Sequence, residues 1–182
     1  VYESQIDLRR QLDRAKIPVF VYKHAGLADI TTTIRQLGER VGQQDGAAEV
    51  IRRIEEKLRD IRMRVSGRPK PRTLVIFGRD ALALRGVYAS GGTGFLHDML
   101  DAAGGDNVFA DVPQQSVQAT SELVLARRPD VILELRAGAM SPAEQRQEIA
   151  VWQALPSVPA VRADRIAIIT DPRTVVPGPR VA

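Results

Sequence analysis

Several groups of side chains have spacings that could support chemistry. Gly91-Gly92-Thr93-Gly94 precedes a run of helical period, and a glycine-rich turn at a helix start can hold phosphate on free backbone amides. The turn departs from both nucleotide fingerprints, because His97 stands where a dinucleotide motif wants Gly or Ala and no Gly-Lys-Ser/Thr follows. Read as structure, these glycines make a tight turn that lets strand and helix pack. His97 and Asp101 lie four apart on one helix face, with Asp98 between them. That spacing can ligate a metal, but the only other histidine, His24, is far upstream, so a surface or capping role is expected. Ser90 lacks the glycine two positions before it that a nucleophile elbow uses. Ser121-Glu122 opens a helix, where exposed amides and the dipole favour an acid. The expectation is therefore a chain with no catalytic residues, no cofactor and no resident metal.

Charge is placed unevenly. The chain of 182 residues carries a net +4, yet Arg59, Arg62, Arg64, Arg68, Lys70 and Arg72 face only Asp60 across that segment. Such a cluster can bind phosphates, or it can be a solvated helix end and linker, since cations are favoured at a helix C-terminus. Aromatics make up 4% of the chain and none interleave with these cations, so stacking on single strands is not expected and no nucleic-acid partner is assigned. Apolar residues reach 44% and charged residues 26%, which suits a globular α/β protein and rules out disorder and collagen. With no cysteine in the sequence, disulfides, thiolate metal sites and a cysteine nucleophile are excluded. The chain begins at Val1 rather than Met, which reads as an internal start.

Short β-rich runs alternate with helical periods, as in an α/β fold with a largely parallel sheet. Ile6 to Ala15 reads as a helix and Val19-Phe20-Val21-Tyr22 as a strand. Ile30, Ile34, Leu37 and Val41 then mark one face of a second helix. Ile51, Ile54, Leu58, Ile61 and Val65 form one apolar stripe from about Gly46 to Ser66. The opposite face is charged, and Glu55–Glu56 read as solvating charge. At 1.5 Å per residue that helix is about 30 Å long. Gly67-Arg68-Pro69-Lys70-Pro71 ends it. A second α/β unit follows: strands at 73–77, 107–109, 131–133 and 165–169, with helices after Gly94, after Thr120 and after Pro142. Trp152 keeps step with Ile149 on an apolar face and reads as core.

Several segments together resemble one family. Gly86-Val87-Tyr88-Ala89-Ser90-Gly91-Gly92-Thr93-Gly94-Phe95-Leu96 is similar to its G-x-Y-x-S-G-x-x-S-F-L segment, and Ala103 to Phe109 to its A-G-G-x-N-V-F turn. Ser121-Glu122 through Pro129-Asp130-Val131-Ile132 resembles its S-x-E-x-x-L-x-x-x-P-D-V-I stretch. Trp152 with Leu155-Pro156, and Pro177-Gly178-Pro179-Arg180, fit its W-x-x-L-P and G-P-R endings. The chain thus resembles the class III periplasmic substrate-binding proteins that serve ABC importers of iron–siderophore, haem and cobalamin.

The resemblance implies two α/β lobes joined by one long helix. It implies that residues 1–42 are a remnant of the N-terminal lobe, 43–67 the interlobe helix and 68–182 a Rossmann-like C-terminal lobe with a central, mostly parallel sheet. It further implies a non-enzymatic, periplasmic or lipid-anchored extracytoplasmic protein that delivers a metal chelate to a membrane permease. Cleft contacts would come from Arg85, Tyr88, Gln114, Gln115, Arg136 and Arg173, and Glu122 would dock to an arginine of the permease. An N-terminal remnant without its parent sheet would leave apolar surface uncovered, which favours a homo-oligomer. Two other possibilities are an enzyme lobe with a phosphate or nucleotide-sugar site at Gly91–Gly94, and a DNA- or membrane-binding module using Arg59–Arg72.

Overall fold

Thr73 to Phe77 is an apolar run with side chains that alternate between two faces, and it forms the core of β1 (Arg72–Gly78), the central strand. The computed structural model describes residues 1, 3–23, 25–171, 174 and 178. Leu74 and Ile76 point into one buried layer with Ile132, Val124, Trp152, Val158 and Val161. Val75 points into the other, with Leu100 and Leu135. A strand covered on both faces has no solvent side, which is why the run reads apolar without interruption.

Three helices precede β1: α1 (Ile6–Arg14), α2 (Leu27–Arg40) and α3 (Gln44–Val65). After it come β2 (Tyr88–Ser90), α4 (Phe95–Ala102), β3 (Asp106–Asn107), β4 (Ser116–Gln118) and α5 (Ser121–Arg127). The chain continues through β5 (Val131–Leu135), α6 (Pro142–Ala150), a 3₁₀ turn at Val151–Ala154, α7 (Pro159–Arg162) and β6 (Ile166–Ile169). The sheet order is β4-β2-β1-β5-β6, with β3 also paired to β1. Pairings β1–β3, β1–β5 and β5–β6 are parallel, whereas β1–β2 and β2–β4 are antiparallel. The result is a Rossmann-like, mostly parallel sheet with an antiparallel edge, and helices pack on both faces.

The long apolar stripe becomes α3, which buries Ile51 and Ile54 and packs against α2 and α4. Its outer face is held by Arg52, which donates to Glu56 at 3.0 Å and also pairs with Glu49. At its end Val65 sits on Gly104, whose φ of +78° and lack of a Cβ allow the approach. One carboxylate ties α2 to the sheet layer. Asp98, in the first turn of α4, accepts the Leu27 N–H at 2.9 Å, so it caps a helix 71 positions away in sequence. Gly26 leaves that approach clear, since a Cβ there would make the Asp98 carboxylate shift.

Val19 to Tyr22, read as a strand, does not form one. Only Tyr22 bridges, donating to Val1 O at 3.2 Å while its carbonyl accepts from Glu3 N–H at 3.1 Å. Strands need backbone partners, and among the described residues only Val1 and Glu3 supply hydrogen bonds to this segment. The α2 stripe is likewise half covered: Ile30 is buried, but Val41 is 66% exposed. Between them opens an apolar groove of about 590 Å³ lined by Phe20, Ile30, Ile34 and Leu37 among others.

Replacing Asp98 with Ala removes the acceptor on α2. The expected loss is about 1 kcal/mol by urea denaturation, with faster hydrogen exchange at the Leu27 amide. Unchanged exchange there would show that the cap does not hold α2.

Candidate functional site

The parallel strands β1, β5 and β6 all end at one edge of the sheet, which we call the upper end. From β1 the chain passes to β3 on one side and later to β5 on the other. This makes the upper end of β1 and β5 a topological switch point, where open α/β sheets place their ligands.

That position is occupied by a buried charge network. Arg79, the residue after β1, donates Nε to Glu134 Oε1 at 2.9 Å and Nη2 to the Glu148 carbonyl at 2.9 Å. Its Nη1 lies 2.8 Å from Glu148 Oε2 and also reaches the Asp80 and Ala83 carbonyls. Arg136, just past β5, donates Nε to Glu134 Oε2 at 3.2 Å and Nη2 to Glu148 Oε2 at 3.3 Å. Trp152 closes the set, its Nε1–H donating to Glu134 Oε1 at 2.6 Å. The side chains of Arg79 and Glu134 are fully buried, while that of Arg136 keeps 19% of its surface. Two guanidiniums against two carboxylates leave no net charge. Among the described residues no buried side-chain polar atom lacks a partner, which is the condition for such a network to be tolerated.

The expected cleft residues are not all brought together. Arg85 and Tyr88 are exposed at the rim of the upper end. Arg85 lies 3.6 Å from Asp80, and Tyr88 sits opposite Gly78 and Gln118. Arg136 is also at this end, but its guanidinium is committed to the two glutamates beneath it. Gln114 and Gln115 are exposed further along the sheet edge, beside the glycine turn, with Gln115 opposite Gly91 and three residues below the level of Tyr88. Arg173 lies outside the described residues, as do His24 and three of the four residues Pro177 to Arg180.

Glu122 is exposed in the first turn of α5 at the same upper end, and the helix is capped by Thr120, whose hydroxyl accepts the Leu123 N–H at 3.3 Å. Hydrogen bonding from that hydroxyl, then from its own backbone amide, holds the Glu122 carboxyl below the usual glutamate range. It therefore stays ionised as pH falls through the ordinary glutamate value, and loses its charge only below that.

The glycine turn is structural. The amides of Gly91, Gly92 and Thr93 donate to the carbonyls of Gln115, Val112 and Gln114 at 3.1, 2.8 and 3.3 Å. A Cβ on Gly91 or Gly92 would overlap the Gln114 or Ala110 carbonyl oxygen. Asn107 fastens the underside, donating Nδ2 to Gly91 O at 2.9 Å and accepting the Phe109 N–H at 3.0 Å. The Ser90 hydroxyl is buried and donates to Gly91 O. The amides of the turn itself are taken by its own chain, which leaves a phosphate or nucleotide-sugar site at Gly91–Gly94 without support. No cluster of three or more potential metal ligands occurs among the described residues. Asp101 is instead held by Lys70 Nζ at 2.9 Å.

Sequence reading missed Arg79, Glu134 and Glu148. A signal was present: Glu134 interrupts the buried run Val131-Ile132-Leu133-Glu134-Leu135, and an acid there requires a cationic partner.

The buried network thus closes the upper end of β1 and β5 beneath the exposed rim. Residues 2–172 match the family described as periplasmic binding protein, and the chain belongs to that family. It is 28% identical over 152 residues to the vitamin B12-binding protein of Salmonella choleraesuis, covering 83% of this chain and 53% of that protein. The chain thus spans about half the length of the curated relatives it matches. Among solved structures it is similar to the periplasmic haem-binding protein of Roseiflexus sp. RS-1, with a TM-score of 0.75 at 22% identity over 99% of this chain and 69% of that one. It is equally similar to an Fe³⁺-hydroxamate transport protein of Saccharomonospora viridis, with a TM-score of 0.75 at 22% identity, covering 100% and 68%. The family is one of binding proteins and not enzymes, and it implies an extracytoplasmic location. No helix among the described residues is long and apolar enough to cross a membrane.

Arg79→Ala would leave two buried carboxylates short of a partner. The expected cost is about 3–5 kcal/mol in urea denaturation, with a smaller loss for Arg136→Ala. Near-wild-type stability of Arg79→Ala would show that the network does not hold the floor.

Proposed function

We propose that this chain contributes the C-terminal lobe (68–182), the connecting helix (43–67) and part of the N-terminal lobe (1–42) of a protein that carries a metal chelate to an ABC permease. The family match over residues 2–172 carries this reading. Relatives named for vitamin B12, haem and Fe³⁺-hydroxamate support a chelate as cargo. A packed α3 without a Pro or Gly break in its centre suits a connector that transmits little hinge motion.

Arg85 and Tyr88 at the rim would contact the chelate, a guanidinium pairing with its oxygens and a phenol stacking or donating. Arg136 would reach it only by its exposed fraction, and Gln114 and Gln115 only from the sheet edge. Glu122 would pair with a permease arginine, as an ionised, exposed carboxylate at the upper end can do bidentately. The uncovered groove at Phe20, Ile30, Ile34 and Leu37 favours self-association of this chain, so light scattering should show mass rising with concentration. A monomer at every concentration would count against that.

The test uses the full-length gene product titrated with haem, cobalamin and a ferric hydroxamate, read by fluorescence of Trp152. One of the three should quench saturably. Arg85→Ala and Tyr88→Ala should each weaken that Kd about tenfold, near 1.4 kcal/mol. Glu122→Ala should leave Kd unchanged and cut permease-dependent uptake. Failure of all three ligands to bind would overturn the proposal.

A further inference from the structure

The loop that leaves β1 is pinned from below along most of its length. Arg79 Nη1 donates to the Asp80 carbonyl at 3.1 Å and to the Ala83 carbonyl at 3.2 Å. The Asp80 N–H donates to the Arg85 carbonyl at 2.9 Å, which closes the neck. Leu84 turns inward and packs against the core layer that holds Trp152. At the tip, the Leu82 N–H donates to both carboxylate oxygens of Glu148 on α6, at 3.3 Å each. The same carboxylate accepts from Arg136 Nη2 at 3.3 Å. One buried acid thus sets Leu82 beside Arg136 at the upper end.

Leucine is an unfavourable choice for position 82 on local grounds. Its φ of +51° lies in the left-handed region, where a Cβ crowds the following carbonyl oxygen and Gly or Asn is preferred. Its side chain is 59% exposed, more than any other large apolar side chain described in residues 68–182, so folding gains little from its hydrocarbon. The bonds to Glu148 use only the backbone of residue 82 and do not require a leucine. Backbone strain of this kind persists where neighbouring groups over-determine the conformation, and it collects at ligand clamps. Here Glu148 and Arg79 are those neighbouring groups.

We infer that Leu82 is a cargo contact at the upper end and that Glu148 is the positioning residue that presents it. The inference rests on the chelate-carrying reading above. A hydrocarbon tip beside a guanidinium that keeps 19% of its surface fits a chelate whose anionic oxygens adjoin an apolar edge, such as a ring or an alkyl arm. Leu82 covers the edge while Arg136 donates to the oxygens. Glu148 does not oppose those oxygens, because Arg79, Arg136 and the Leu82 amide already surround its carboxylate. The remaining charges on the loop, Asp80 and Arg85, lie 3.6 Å apart at its neck.

The test titrates the full-length gene product with haem, cobalamin and a ferric hydroxamate, as wild type and as Leu82 and Glu148 variants. Leu82→Asn suits the left-handed backbone, so its urea midpoint should hold or rise. Its Kd for the ligand that wild type binds should nevertheless weaken at least about fivefold, and Leu82→Ala should do the same. Glu148→Gln should speed hydrogen exchange at the Leu82 amide and weaken Kd. Adding Leu82→Asn to it should cause little further loss, since the two act through one contact. If Glu148→Gln melts early, the two Leu82 variants decide the matter alone. Unchanged Kd in both of them, with wild type binding, would overturn this inference and leave the chelate reading standing. Additive losses in the double variant would remove the role given to Glu148. No binding by wild type would instead defeat the chelate reading, and this inference with it.

Discussion

Burying Arg79 and Glu134 at the point where two halves of the sheet diverge constrains most of the lobe. Neither group could be there alone, because an unpaired charge in the interior costs several kcal/mol. Arg79 can reach both glutamates only if β1 and β5 are in register and α6 lies over their ends. The network therefore specifies the relative placement of three elements that are distant in sequence. Its partners also include the Asp80 and Ala83 carbonyls and the Leu82 amide, which fold the loop after β1 back on itself. That loop carries Arg85 to the rim, so the buried charges set where an exposed one stands.

A second constraint acts at the antiparallel edge. The segment 110–115 can lie against Gly91 and Gly92 only because neither has a Cβ, and once there it takes up their amides. The same glycines that suggested a phosphate cradle are thus closed by their own chain. Asn107 extends this arrangement, using its amide on both the glycine turn and the Phe109 backbone. β2 and β4 are fixed as a result, and through Ala119 they set the start of α5. The exposure of Glu122 follows from backbone contacts around it, with Thr120 supplying the cap.

Much of the architecture was legible. The stripe Ile51 to Val65 appeared as α3, the Pro-rich break after it appeared where expected, and β1, β5 and β6 follow their apolar runs. The short strands β2 and β4 carry no apolar run of their own and went unseen. Val19 to Tyr22 has strand composition, but among the described residues only Val1 and Glu3 bond to its backbone, so composition alone misled. Of the site residues, Tyr88 and Glu122 were reachable through motif spacing and Arg85 through its place in a loop after a strand, and the structure leaves all three exposed. Arg136 was singled out for its place after a strand, which spacing shows, while its attachment to Glu134 and Glu148 depends on residues 2 and 12 positions away in sequence.

Local patterns determined the elements of this protein, because periodicity, proline and glycine act within a few residues of chain. They also determined family membership, which depends on the order of motifs along one line. Tertiary structure decided which polar groups remain available. Asp98 became a cap for α2, Gly91 and Gly92 lost their amides to a loop, and Glu134 drew in Arg79, Arg136 and Trp152. Leu82 and Arg136 were brought to the one carboxylate of Glu148. A hydrogen bond or a shared field depends on separation in space, which folding sets and sequence distance does not record.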